Sequence, residues 1–178
     1  MKNTQAKGFY EIFESILIAL IAIIFLVVFV FRAVTVDGSS MEPNLHNGDK
    51  LITTNMFYTA QKGDIIVVDK NTILGKPVIK RVIATAGDTL KYDYETGDVY
   101  VNSEKLTETY ILSYNGMPNP YTENIDTVVK DGHVFVMGDN RNNSNDSRNS
   151  ELGQINTNNI LGKAVLRIYP FNSIGVIK

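Results

Sequence analysis

The feature that most limits what this chain can become is the stretch ILIALIAIIFLVVFVF, Ile16 to Phe31, sixteen consecutive apolar residues. A helix built from it has no polar face, so it cannot serve as the surface helix of a small water-soluble domain. Counted from Ile12, across Glu14 and Ser15, the stretch reaches twenty residues, the length that crosses a hydrocarbon core of about 30 Å. Arg32 closes it. The expectation is a transmembrane anchor over 12–32, a short cytoplasmic segment over 1–11 and an extracytoplasmic domain over 33–178. A cleavable leader is the competing reading. Its apolar core usually runs about 7–15 residues and precedes a small-x-small site, and FRAVTVDGSS offers little beyond Ala33. Lys2, Lys7 and the amino terminus before the run, against Arg32 after it, favour a cytoplasmic N-terminus with the remainder on the extracellular side of the cell membrane.

Composition matters next for what it removes. The 178 residues contain no cysteine, which excludes thiol nucleophiles, disulfides and thiolate metal sites. Net charge is −2 and no Lys/Arg-rich tract appears, so nothing calls for nucleic acid as a partner. The imidazole supply is two residues, His46 and His133. Chemistry must rest on those or on Ser, Thr, Lys, Asp and Glu.

After Arg32 the pattern is one of short strands and turns. DIIVVD (64–69) is a β-branched run between turns. KPVIKRVIATAGD (76–88) starts at Pro77 and stops at Gly87-Asp88. TLKYDYETGDVYVNSEKL (89–106) alternates about Thr96-Gly97-Asp98 as a hairpin does. GHVFVMGDN and GKAVLRIYPF add two more strands, and LSYNGMPNPYTEN (112–124) reads as an irregular loop. The expected fold is mainly β, a compact barrel-like or sandwich-like domain behind an N-terminal transmembrane helix.

Three stretches hold candidate chemistry. In DGSSMEPNLHNGD, Asp37 to Asp49, Gly38 permits tight geometry beside Ser39 and Ser40, so that amides there could face a developing oxyanion. A serine hydroxyl is a weak nucleophile until a base takes its proton, and the plain reading of Gly-Ser-Ser is a turn. His46 lies in a polar turn and His133 at a strand start; each reads as well as a solvated side chain as it does as a base. Lys80 lies within the apolar PVIKRVIATAG. A lysine among apolar neighbours loses hydration, its pKa falls, and the neutral amine can act as a general base. Period two places Val78, Lys80, Val82 and Ala84 on one face. Arg81 has apolar same-face neighbours too, so parity leaves open whether Lys80 or Arg81 points inward. The third stretch, MGDNRNNSNDSR (137–148), reads as an Asx-rich loop or as a packed network pairing Asp139 and Asp146 with Arg141 and Arg148. A calcium loop is a further alternative: Asn140, Asn142, Ser144, Asp146 and Glu151 fall at positions 1, 3, 5, 7 and 12, although position 1 lacks its acid and position 6 its glycine.

Taken in order after an N-terminal span, GSSMEPNL, KPVIKRVIATAGD and MGDNRNNSNDSR resemble the type I signal peptidases, the membrane-anchored Ser/Lys proteases that remove signal peptides from exported proteins. The resemblance covers most of the chain, in the short Gram-positive-like form, and implies a domain of the signal peptidase and LexA kind. It implies Ser40 as nucleophile, Lys80 as general base, and Ser144 as the hydroxyl that orients the lysine amine. Asp146 and Arg148 match a supporting salt-bridged pair, with Asp139 and Arg141 as further scaffold. The Ser40 amide would donate to the oxyanion, while Gly38 stands where some relatives carry a second donor. Extended substrate would lie between the strand before the serine, with Val34, Val36 and Asp37, and the strand before the lysine, with Pro77 and Ile79. The implied partners are signal peptides of preproteins, cut after small residues of the Ala-x-Ala type, and the bilayer. No metal or organic cofactor is implied. One departure stands out: the family's Gly-Leu-Pro-Gly-Asp turn is here Ala84-Thr85-Ala86-Gly87-Asp88, which predicts a slightly shifted turn. The short stretch between the lysine and acidic motifs leaves no room for a large second β domain. From the residues alone, a non-catalytic anchored β domain for binding or assembly and a Ser-His hydrolase using His133 remain as rivals.

Overall fold

The structure is a computed structural model that describes residues 2–69, 75–111 and 123–177; within the N-terminal helix the side chains of 2–7, 9 and 26–28 are outside the description. The loop expected over 112–124 therefore falls almost wholly outside the described residues. The chain divides into two compact units, 1–32 and 33–178.

The first unit is one helix, α1 (Lys2–Val30). At 1.5 Å rise per residue it is roughly 44 Å long. It starts ten residues before the expected span (12 − 2) and ends two before its expected close (32 − 30), because the chain is already extended at Phe31. Ile12, Phe13, Ile16, Leu17, Ile18, Leu20, Ile21, Ile23, Ile24, Phe25 and Phe29 are all exposed. Among the described residues, which omit the side chains of 26–28, no helix is long and apolar enough to cross a membrane.

The described residues of the second unit are mainly β, with two short 3-10 turns over 157–159 and 171–173. Its strands are β1 (Phe31–Thr35), β2 (Lys50–Thr54), β3 (Ile65–Val68), β4 (Val78–Thr85), β5 (Thr89–Tyr92), β6 (Val99–Val101), β7 (Glu104–Lys105), β8 (Ile125–Val128), β9 (His133–Met137), β10 (Ile155–Asn156), β11 (Ile160–Tyr169) and β12 (Gly175–Val176). An eight-stranded sheet runs β1-β2-β11-β3-β4-β9-β10 with β12 on β11, and a four-stranded sheet runs β7-β6-β5-β8. β3 is Ile-Ile-Val-Val, buried at every position, as expected of a strand covered on both faces. Its alternation divides the core: Ile65 and Val67 join a cluster with Val36, Met41, Leu45, Leu51 and Ile79, while Ile66 and Val68 join one with Val82, Val134 and Val136. Leu90, Tyr92, Val99 and Val101 of the small sheet pack on Ile83, Phe135 and Met137 as a third.

The hairpin read over 89–106 is present, with Leu90 opposite Val101 and Tyr92 opposite Val99. β4 carries a bulge between Val82 and Ala84, which puts Ile83 and Ala84 into the same cluster and breaks strict alternation. The turn after β4 is closed here without a proline. Gly87 takes φ +85°, and the Asp88 carboxylate accepts hydrogen bonds from Thr85 N–H (2.8 Å) and Thr85 Oγ1 (3.0 Å). β2, β8 and β12 had no clear sequence signal, being short and, for β8 and β12, largely exposed.

Two features position the site. β4 pairs with β3 from Val78 onward but with β9 only from Arg81 onward, so the far edge of Val78–Lys80 is open among the described residues. Among the described residues β1 is the terminal strand of its sheet, so it too presents an open edge.

Candidate active site

Ser40 sits at the start of a tight turn after β1. Gly38, at φ +98°, lets the chain reverse there, and its N–H donates to Asn47 Oδ1 at 2.9 Å. Met41 and Leu45 bury their side chains almost completely and fasten the turn to the core. From the other side the Asn140 N–H donates to Ser40 O (3.0 Å), Asn140 Nδ2 to Ser39 O (3.2 Å) and Asn143 Nδ2 to Ser39 Oγ (2.9 Å). The serine is thus held between its own turn and the loop after β9.

Lys80 comes from the middle of β4, and its amine lies 2.7 Å from Ser40 Oγ, hydrogen-bonded. Only 3% of the residue is exposed. Removal from water is the main cause of a pKa lowered to about 8; the Asp146 and Asp139 charges act to raise it, and those of Arg148 and Lys76 to lower it. The parity question has an unexpected answer: Lys80 and Arg81 are both buried, on opposite faces of a strand covered on both sides. A solvent-pointing Lys80 is ruled out.

The loop after β9 is a buried charge network. Arg148 Nε donates to Asp146 Oδ1 (2.8 Å) and Nη2 to Oδ2 (3.0 Å), and the Gly138 N–H also donates to Oδ2 (2.8 Å). Burial acts to raise the Asp146 pKa, but Arg148, the Gly138 amide and the Ser144 hydroxyl outweigh it and hold the carboxyl below its usual range. Burial likewise acts to lower the Arg148 pKa, and Asp146 reverses that to a net rise. Ser144 is buried beside this pair. Gly138 leaves no room for a side chain: a methyl group there would come within 2.5 Å of Ser40 O and nearer still to Ser144 Oγ.

Asp139 and Arg141 require a correction. They do not pair with one another. Asp139 receives a two-pronged contact from Arg81, Nε to Oδ1 and Nη2 to Oδ2 at 2.8 Å each, together with Asn44 Nδ2 at 2.8 Å. Arg141 is paired with Glu108, Nη1 to Oε2 at 2.8 Å, and its Nε donates to Gly138 O. These two residues, two positions apart in a tight loop, point apart, and each finds its counter-charge on another segment. Arg81, Asn44, Glu108 and Tyr110, whose ring lies 4.1 Å below the Arg81 guanidinium, were missed by the sequence reading. Arg81 alone carried a signal, as a second cation in an apolar strand. The calcium reading loses its ligands to this network, since both Asp146 oxygens are engaged by Arg148 and Glu151 is exposed.

Val34, Val36, Asp37, Pro77 and Ile79 all line one cleft of about 120 Å³ that also contains Ser40 and Lys80. The strands are shorter than expected: β1 ends at Thr35 and β4 begins at Val78, so Val36, Asp37 and Pro77 extend the two walls as irregular chain. His133 is not brought to the serine. It lines a larger hollow of about 770 Å³ with Ser147, Glu151 and Gln154, and its Nδ1 lies 2.8 Å from Asp131 O. His46 sits in a turn whose amide is held by Asp49 Oδ2 (3.0 Å).

A hydroxyl hydrogen-bonded to a dry, pKa-lowered amine at the side of a cleft is what a serine nucleophile with a lysine base requires. Residues 9–169 match the signal peptidase, peptidase S26 family, and the chain belongs to that family. It is similar to a signal peptidase I of Bacillus licheniformis, 34% identical over 97% of this chain and 96% of that one. It is 38% identical to a probable signal peptidase I-1 of Synechocystis, over 90% of this chain and 82% of the other. Among solved structures, a signal peptidase I from Enterococcus faecalis V583 is 29% identical, with a TM-score of 0.46 over 60% of this chain and 97% of that one.

Proposed function

We propose that this peptidase cuts signal peptides from exported preproteins after small residues, with Ser40 as nucleophile and Lys80 as general base. The observation that carries the reading is the 2.7 Å contact between Ser40 Oγ and a buried Lys80 amine, whose pKa that burial lowers to about 8. Neutral Lys80 takes the Ser40 proton as Oγ attacks the scissile carbonyl. The Ser40 amide stabilises the oxyanion. The ammonium of Lys80 returns the proton to the leaving amine, and the C–N bond breaks to give an acyl-enzyme. Water, deprotonated by Lys80, then hydrolyses the ester and restores Ser40. Ser144, Asp146 and Arg148 orient the amine and keep water from it, and Asp139 and Arg141 hold the loop that carries them.

The open edges of Val34–Thr35 and Val78–Lys80 support binding of an extended peptide by strand addition. A cleft this narrow, walled by Val34, Val36 and Ile79, supports a preference for alanine-sized side chains. We read α1 as the anchor over 12–32 because its large apolar side chains, among those described, are exposed, with the N-terminus cytoplasmic and 33–178 outside as catalytic domain. The anchor holds the serine where a signal peptide emerges from the bilayer.

The test is cleavage of a secretory precursor by the full chain in detergent, comparing the parent with Ser40→Ala, Lys80→Ala and His133→Ala. Cleavage is expected to be lost with the first two and kept with the third. Cleavage by Lys80→Ala would overturn the dyad, and no cleavage by the parent would favour an anchored binding domain.

A further inference from the structure

Apart from the Ser40–Lys80 contact, the walls of the cleft, 34–37 and 77–80, are joined at one end by an ion pair. Lys76, the residue before Pro77, reaches across to Asp37, the last residue of the opposite wall, Nζ to Oδ2 at 2.8 Å. Lys76 opens the KPVIKRVIATAGD stretch, but none of the roles assigned to that stretch falls on it. We propose that the Lys76–Asp37 pair is a clasp that sets the width of the cleft, and that Lys76 is a positioning residue for extended peptide substrates. The inference rests on the reading of this cleft as the peptide site.

The geometry gives the reason. A strand added between two open edges needs them about two inter-strand spacings apart, roughly 9.5 Å. β1 and β4 belong to one sheet but their main-chain ladders run to β2 and to β3, so no ladder joins the two walls directly, whereas the Lys76–Asp37 pair bridges them at the end away from the dyad. Both partners are well exposed, 61% and 74%, so the pair contributes little to global stability and is weakened by salt. Its ammonium holds the Asp37 carboxyl below the usual range. The dyad itself is fixed by Met41, Leu45 and the β3–β4 ladder, so loosening the clasp changes how a peptide is received more than how it is cut.

The test is steady-state kinetics of the full chain in detergent with a peptide spanning a signal-peptide cleavage site. Lys76→Gln is expected to raise KM about two- to fivefold, the range an exposed ion pair supports, with kcat nearly unchanged. High salt should raise the parent's KM toward that of the variant. The exchanged pair Asp37→Lys with Lys76→Asp should bring KM back. A fall in kcat at constant KM, or no recovery on exchange, would overturn the clasp. Amide hydrogen exchange judges it without activity: segments 33–38 and 75–80 should exchange faster in Lys76→Gln, and unchanged exchange would overturn it. A parent that fails to cleave would defeat the peptidase reading while leaving that exchange result to decide the clasp.

Discussion

Moving the Lys80 amine out of water lowers its pKa from 10.5 to about 8, and the sign of that shift can be tested. Below pH 8 the folded and unfolded states both carry the proton, and the fold bears the whole penalty. Between pH 8 and 10.5 the folded state releases the proton first, so stability rises with pH across that window. A depression of this size corresponds to about 3 kcal/mol. Lys80→Met should therefore abolish cleavage yet unfold at higher temperature than the parent at pH 7, measured by calorimetry in detergent. In the parent, kcat/KM should climb as pH rises toward 8 and then level off. Gly138 is a second residue-scale test. With Ser40 O and Ser144 Oγ where a Cβ would go, Gly138→Ala should cost at least tenfold in kcat by pushing the serine turn away from β4, while Ala86→Gly, in the turn beyond the strand, should change it little.

At the scale of elements, the buried pairs tie segments that the sheets do not. Arg81–Asp139 links β4 to the loop after β9, Asn44 adds the serine turn, and Arg141–Glu108 adds the segment after β7. Removing one partner of such a pair strands a buried charge, at about 3–5 kcal/mol. Glu108→Gln should lower the urea midpoint accordingly, whereas changing the exposed Lys91–Asp126 pair should shift it by less than about 1 kcal/mol. The turn after β4 has its own signature. Burial acts to raise the Asp88 pKa, but the Thr85 amide, Asn102 and Lys62 bring it down to about 2. The stability this carboxylate contributes is present above its unfolded value, near pH 4, and is lost as pH falls toward 2. Asp88→Asn should therefore flatten the acid limb of a stability–pH curve.

For the whole molecule, the reading of α1 as an anchor has a direct consequence. The chain has no cysteine, so single cysteines report topology without background. A cysteine at exposed Lys130 should react with an impermeant maleimide added to intact cells, and one near the N-terminus should react only after lysis. Alkaline carbonate should leave the chain in the membrane fraction.

Much of this was legible in one dimension, because its causes are local. The apolar run, the alternating hairpin, the Gly-Asp turn and the Ser, Lys and Asp/Arg motifs are each set by neighbours within a few residues. The strands too short or too exposed to show alternation were not. Which cation goes with which carboxylate was not legible either: Arg141 and Asp139 lie two positions apart, yet Arg141 takes Glu108 and Asp139 takes Arg81, since counter-charges are chosen by distance in space and by the loss of water on burial. The sequence by itself determined that this chain has a serine, a lysine and a greasy helix to work with. Only the tertiary structure decided that the amine is dry and touches the hydroxyl, because desolvation is a property of everything packed around a group, not of the residues beside it in the chain.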